Sequence, residues 1–319
     1  MLKAERELKA LASVYRTEEF ESSRHGDRPD FVLRHHGADR GFGVEITELY
    51  ETQADARAEL HPAYIADLLA GGPHMHKDDV SLLKVEKVQL QDKDGNLKAA
   101  DLPAIIRKKP PIDEHARAIV ALLRRKTEQA IGYRQDLTHL NLLILDRLGA
   151  QRRPGDSYST SDLLVPDLKE ALIASPFREV FLVSTDHDWR VYRPLQMLHL
   201  LESFELFLGA LASFETDAPE PETDDVLRLF VQTVKSMGTD LHLGRYPNDA
   251  LCAVYRGCGV ALGPDAVRVL DFADRNQPPP APSEPPIWSS EVESAFMEHH
   301  LRFGETNAFI VGLAMPTRN

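Results

Sequence analysis

Two carboxylates, Asp30 and Glu45, stand where they could share one hard cation. Asp30 follows Pro29 and opens the apolar run Phe31-Val-Leu-Arg34, while Glu45 lies inside Phe42-Gly-Val-Glu-Ile-Thr47. The second run alternates apolar and non-apolar residues, as a half-buried strand does. Side chains alternate along a strand with period two, so Phe42, Val44 and Ile46 point one way and Gly43, Glu45 and Thr47 the other. The segment His36-Gly-Ala-Asp-Arg-Gly41 between the runs is turn chemistry, which predicts a β-hairpin in which Asp30 approaches Glu45. Two carboxylates with the main-chain carbonyl of Ile46 make an all-oxygen site suited to Mg²⁺ or Mn²⁺. Such an ion polarises a phosphodiester and activates a water.

A cationic partner is predicted further along the chain. Pro110-Pro111 opens a helix running to about Ile131, with Asp113 as its expected N-cap. Ile119, Leu122, Lys126, Gln129 and Tyr133 fall on one stripe of that helix, so Lys126 and Gln129 interrupt an otherwise apolar face. A buried lysine needs a partner or loses its charge, which points to a carboxylate or phosphate nearby. Each of these residues also has a plainer reading. Asp30 can cap a turn, Glu45 can be a solvated strand residue, Lys126 can snorkel at a helix end, and Gln129 and Tyr133 can sit at a core edge.

The order helix, Pro29-Asp30, Glu45, helix, strand resembles the PD-(D/E)xK nuclease superfamily, over about residues 1–200. The motif departs at Thr47, which occupies the place of the superfamily's lysine, and Gln129-Ala-Ile-Gly-Tyr133 is similar to the Q-x3-Y pattern of its RecB-like members. The resemblance implies a restriction-endonuclease-like fold, a central mixed sheet flanked by helices. It also implies a metal-dependent nuclease acting on DNA rather than RNA, since such folds recur in restriction, repair and antiphage defence. By the same resemblance Asp30, Glu45, Lys126 and Gln129 form the catalytic set. Asp30, Glu45 and the Ile46 carbonyl hold Mg²⁺ or Mn²⁺, with Glu7 or Glu5 of the first helix as a further acid. Lys126 would stand in for the missing strand lysine, and Gln129 would orient substrate or a ligand. The Thr47 departure supports an alternative: a catalytically inactive nuclease-like scaffold acting as a binding or regulatory protein.

Charge is distributed unevenly. The net charge of the 319-residue chain is −13, which alone disfavours a nucleic-acid binder. Residues 1–150 nevertheless hold 23 Lys and Arg against 25 Asp and Glu, whereas residues 151–319 hold 14 against 25. The first half can therefore carry a local basic surface. Lys84, Lys87, Arg107, Lys108, Lys109, Arg124 and Arg125 are its candidates, and as such they would contact phosphates without reading sequence. Their plainer reading is a solvated surface. Two cysteines, Cys252 and Cys258, are too few for a disulfide framework. His74 and His76, with the pairs His35-His36 and His299-His300, lack a nearby cysteine, and no structural zinc site is expected. Phosphate-loop, dinucleotide-fingerprint and nucleophile-elbow motifs are absent from the sequence.

The elements that must position these residues follow from periodicity. An amphipathic helix is expected over 2–15, helical structure over 54–70, and a lysine-bearing hairpin over 80–106 around Asp94-Gly-Asn96. Buried strands are expected at 139–145 and 179–184, with helices near 163–174, 195–214 and 224–237. Strand-like pieces between 250 and 270 and a short helix near 290–301 complete the reading, with a last apolar stretch at 308–314. The class is mixed α/β with a C-terminal α+β extension. The core spans 1–214 with an insertion at about 48–112, and 215–319 is an extension through which a homodimer or protein partner could bind. No run of 18 apolar residues and no apolar leader segment is present, so a cytoplasmic chain with no membrane partner is expected.

Overall fold

The computed structural model describes residues 3–25, 28–50, 52–105, 110–133, 136–148, 162–184, 192–246, 250–263, 266–282 and 288–306. In chain order the first elements are α1 (Lys3–Val14), β1 (Phe20–His25), β2 (Phe31–His35) and β3 (Phe42–Leu49). The insertion follows as α2 (Gln53–Leu60), α3 (Pro62–Leu69), α4 (Asp79–Leu82), β4 (Val85–Gln91) and β5 (Leu97–Ile105). The core resumes with α5 (Ile112–Ala130), β6 (Leu140–Asp146), α6 (Pro166–Ala174), β7 (Glu179–Ser184) and β8 (Tyr192–Pro194). The remainder comprises α7 (Leu195–Ser213), α8 (Thr223–Ser236), β9 (His242–Arg245), β10 (Leu251–Tyr255), β11 (Cys258–Leu262), β12 (Val267–Asp271) and α9 (Ser290–Thr306).

The fold is mixed α/β. Its main sheet has the order β1-β2-β3-β6-β7-β8. β3, β6 and β7 run parallel, and antiparallel strands close both sides. The parallel centre is buried on both faces, which explains the nearly continuous apolar runs of β6 and β7. On one face α1 packs Ala10, Leu11 and Val14 against Val44, Ile46, Leu143 and Phe181. On the other, α5 and α6 pack Ala116, Ile119, Leu123 and Leu168 against Leu49, Leu142, Ile144 and Leu182. The period-two pattern of β3 thus divides its residues between two different helical layers.

Three local expectations change. Asp113 is not the cap of α5; the helix starts at Ile112 with Pro111 before it, so Asp113 falls inside the first turn and pairs with Arg117 at 3.0 Å. The last helix runs to Thr306 rather than stopping near 301. β1 has no counterpart in the sequence reading, because an edge strand written Phe-Glu-Ser-Ser-Arg-His shows no apolar alternation. The apolar stretch at 308–314 lies outside the described residues.

The insertion has its own small core of Ala54, Ala58, Tyr64, Leu68 and Leu83. It is tied by fully buried Asp79, which accepts hydrogen bonds from Arg57 and from the Tyr64 hydroxyl at 2.7 Å. α7, α8 and α9 pack on a four-stranded antiparallel sheet, β12-β11-β10-β9, around Phe207, Phe230, Tyr255 and Phe296. α7 is long and apolar enough to cross a membrane by length and composition, and 61% of that window is buried inside the fold.

Polar contacts join this second core to the main sheet. The first turn of α7 meets Glu179, whose buried carboxyl accepts from the amides of Gln196 at 2.8 Å and Met197 at 3.2 Å. Burial raises that carboxyl to about 8 against the pull of these amides. At the N-terminal edge of the sheet, Asn141 Nδ2 donates to the Ala273 carbonyl at 2.7 Å, and His139 Nε2 lies 2.8 Å from the same oxygen. Arg178 Nη1 lies 3.0 Å from His139 Nδ1. A guanidinium can only donate, so the ring is neutral with its proton on Nε2.

Burial, reinforced by the Arg178 charge, lowers the His139 pKa to about 3. Between the ordinary histidine value of about 6.5 and that value, the unfolded chain takes up a proton that the folded one refuses, so this contribution to stability is lost as pH falls. A His139→Gln variant has no such titration. Its deficit in urea-unfolding free energy relative to wild type should therefore shrink from pH 7.5 to pH 5, and a gap that stays constant would contradict the neutral-ring assignment.

Candidate active site

Asp30 immediately precedes β2, and the register places Phe31 opposite Val44, so Asp30 falls beside Glu45 on the face that meets α5. Asp30 Oδ2 accepts the Ile46 amide at 2.8 Å. The amide and carbonyl of one strand residue point to the same side. The Ile46 carbonyl therefore faces the side on which Asp30 stands, beyond the start of β2. Gly43, on the same face as Glu45, makes room for this arrangement. A Cβ there would lie 2.5 Å from Leu140 Cδ2, 2.7 Å from Pro29 Cγ and 2.9 Å from Leu137 Cδ1.

Glu45 is buried in the middle of β3, and its side chain keeps only 7% of its exposure. Its Oε1 lies 2.7 Å from Lys126 Nζ, contributed by the second turn from the end of α5. Its Oε2 is buried and makes no hydrogen bond among the described residues. A carboxylate this deep is tolerated because an ammonium meets it, since removing one partner of a buried pair leaves an uncompensated charge. The Tyr133 ring is buried beyond the end of α5. Burial first, then the Glu45 charge and a hydrogen bond to the Glu45 carboxylate, and then the Asp30 charge raise its pKa, so the phenol stays protonated as a donor to Glu45.

The structure thus brings together Asp30, Glu45, the Ile46 carbonyl and Lys126, and adds Tyr133. That residue was visible on the helical stripe but carried no assigned role. Thr47 lies on the Glu45 face, half-buried. Gln129 is exposed, although it shares the stripe with Lys126. Glu7 is buried one turn before Leu11 on α1, whose inward side packs on the opposite face of the sheet from Glu45. Glu5 is exposed on the same helix.

The basic candidates are dispersed. Arg124 and Arg125 are exposed on α5, with Arg124 3.9 Å from Glu170. Lys84 and Lys87 are exposed in the insertion, Lys84 at 3.4 Å from Glu86. Arg107, Lys108 and Lys109 lie outside the described residues. Among the described residues no group of three or more His, Cys, Asp and Glu side chains gathers as a metal cluster. His74 turns Nε2 to the Leu83 carbonyl at 3.2 Å. Both cysteines are buried and unbridged.

Magnesium is held by one or two protein carboxylates with several waters rather than by an all-protein cage. The donor set of Asp30, Glu45 and the Ile46 carbonyl fits that requirement, and the orphaned Glu45 Oε2 is an oxygen available to a cation. Comparison of the chain with family models, with curated proteins and with solved structures finds no match.

The close packing at Gly43 yields a stability test. Gly43→Ala must displace Pro29 and Leu140 and should cost about 1–3 kcal/mol, the usual range for overpacking. Urea unfolding measures it, and an unchanged midpoint would mean that Pro29 is not seated against β3.

Proposed function

We propose that this protein is a metal-dependent nuclease that hydrolyses phosphodiester bonds, of DNA rather than RNA, in the cytoplasm. The observation that supports the reading best is the 2.7 Å contact of Lys126 with Glu45. A lysine missing from the strand at Thr47 is supplied by the helix packed over that strand, beside a second carboxylate.

Asp30, Glu45 and the Ile46 carbonyl would hold Mg²⁺ or Mn²⁺, which when bound polarises the phosphodiester and lowers the pKa of a water. The chain's own groups supply the rest. Glu45 and Asp30 fix the geometry of the oxygen cluster from a paired strand and its neighbour, a rigid base for positioning. The Lys126 ammonium, at the rim of the cluster, steadies the attacking water or the charge that develops on phosphate. Tyr133 holds its proton and donates it to the Glu45 carboxylate in a hydrogen bond, which helps to fix that carboxylate in place. Gln129, exposed beside them, is free to orient substrate, and Arg124 and Arg125 offer phosphate contacts on the outer side of α5.

Cleavage of supercoiled plasmid and of labelled single-stranded DNA and RNA should require Mg²⁺ or Mn²⁺ and stop with chelator. Glu45→Ala and Asp30→Ala should each lower the rate by about 10²-fold or more, with the folded circular-dichroism spectrum retained. Lys126→Ala should lower the rate by about 10²-fold while leaving affinity for DNA in place. Binding without cleavage of any substrate would instead assign the chain to the non-catalytic scaffold class.

Contact with phosphates releases counterions, so affinity should fall steeply with salt. In gel-shift titrations over a salt series, Arg124→Glu with Arg125→Glu should weaken binding and flatten the slope. Charge changes between Asp217 and Asp225 should leave both nearly intact. Binding that ignores the arginine reversals would place the nucleic acid elsewhere.

A further inference from the structure

We infer that Lys126 is the resident counter-cation of the oxygen cluster and that a divalent metal ion loads by displacing it from Glu45. The inference rests on the nuclease reading only for the identity of the incoming ion. Its basis is the geometry of one carboxylate. Glu45 Oε1 holds the Lys126 ammonium at 2.7 Å, and Glu45 Oε2 is buried with no hydrogen bond among the described residues. A carboxylate at this depth keeps its charge only with a cation or hydrogen-bond donors against it; here Lys126 supplies the cation and Tyr133 a donor. An ammonium on Oε1 and a divalent ion on the same carboxylate would repel each other at a few ångströms, so each weakens the hold of the other. The two cations therefore compete for the same group.

The surroundings allow the exchange. Asp30 and Glu45 set two negative charges against the one charge of Lys126, and the exposed Arg28 is near enough to act on Tyr133. The Lys126 side chain retains 14% of its exposure, and its four-carbon stem is flexible, so the ammonium can withdraw towards solvent while its methylenes stay packed. Once withdrawn it lies at the rim of the cluster, where the proposed reaction needs it. One side chain would then neutralise the carboxylate before loading and face substrate after it.

The test is Mn²⁺ binding to the full chain, read from the electron paramagnetic resonance signal of free Mn²⁺ at neutral pH. Lys126→Met removes the competitor and should tighten binding by about tenfold or more. Lys126→Arg keeps the charge and should stay close to wild type. Glu45→Gln should weaken binding by about tenfold or more. Lys126→Met affinity equal to or below that of a wild-type protein that binds one Mn²⁺ overturns the exchange and leaves the metal reading standing. Failure of wild type and Lys126→Met alike to take up Mn²⁺ at millimolar concentration overturns both.

A second measurement needs no variant. Amine acetylation of wild-type protein, followed by peptide mass spectrometry, should show Lys126 modified several-fold faster with Mn²⁺ than without, as its ion pair opens. A rate that is unchanged or slowed by Mn²⁺ overturns the proposal.

Discussion

A carboxylate placed on the buried face of a central strand governs the architecture around it. β3 is paired on both sides, so its side chains have two directions available, and Glu45 is committed to the layer between sheet and α5. Lys126 reaches it at 2.7 Å. Three helical turns earlier, His115 Nε2 meets Asp146 Oδ2 at 3.1 Å, both side chains nearly fully buried. The helix between these residues rises about 16 Å. The strand from Glu45 to Leu49, whose neighbour in register is Asp146, advances about 13 Å. Two polar clasps therefore fix how α5 is rotated and how far it is advanced along the sheet. The apolar contacts between them would tolerate sliding by a turn far better than these two polar contacts would.

The opposite end of the sheet is held by a different device. Apolar packing keeps the C-terminal elements together around Phe207, Phe230 and Phe296, and their attachment to the main sheet combines Leu195, Leu198 and Ala273, buried in its two apolar layers, with hydrogen bonds to successive carbonyls. Ala273 receives Asn141 and His139, Asp274 faces His35 at 2.6 Å, and Arg275 receives Arg178 at 2.9 Å. Arg256 completes the joint by donating to the carbonyls of Ser175 and Phe177 at the end of α6. Hydrogen bonds are directional and fail outright when misaligned, so this attachment specifies one orientation.

Much of the candidate site could be read from spacing. Period two along residues 42–47 separates Glu45 from the apolar face of its strand, and the stripe from Ile119 to Tyr133 marks Lys126 as a cation facing inward. Both patterns are local, and local periodicity reports which way a side chain faces. It does not report what it faces. Gln129 and Tyr133 share the stripe, yet the first is exposed and the second buried, because the helix ends at Ala130 and the chain turns between them.

The sequence alone determined the direction of Glu45, the apolar strands of the parallel centre, the length of α5 and the hairpin that carries Asp30. Those features depend on neighbours a few residues away. Only the tertiary structure decided that Lys126 meets Glu45 across a sequence separation of 81, that Tyr133 joins them, and that the inward side of α1, with Glu7, packs on the far face of the sheet. It also decided that the polar segment Phe20–His25 becomes an edge strand. These outcomes depend on which strand pairs with which and on the layer each helix covers. That choice is made by the packing of the whole chain, where closing a long loop is repaid only by contacts that no single segment contains.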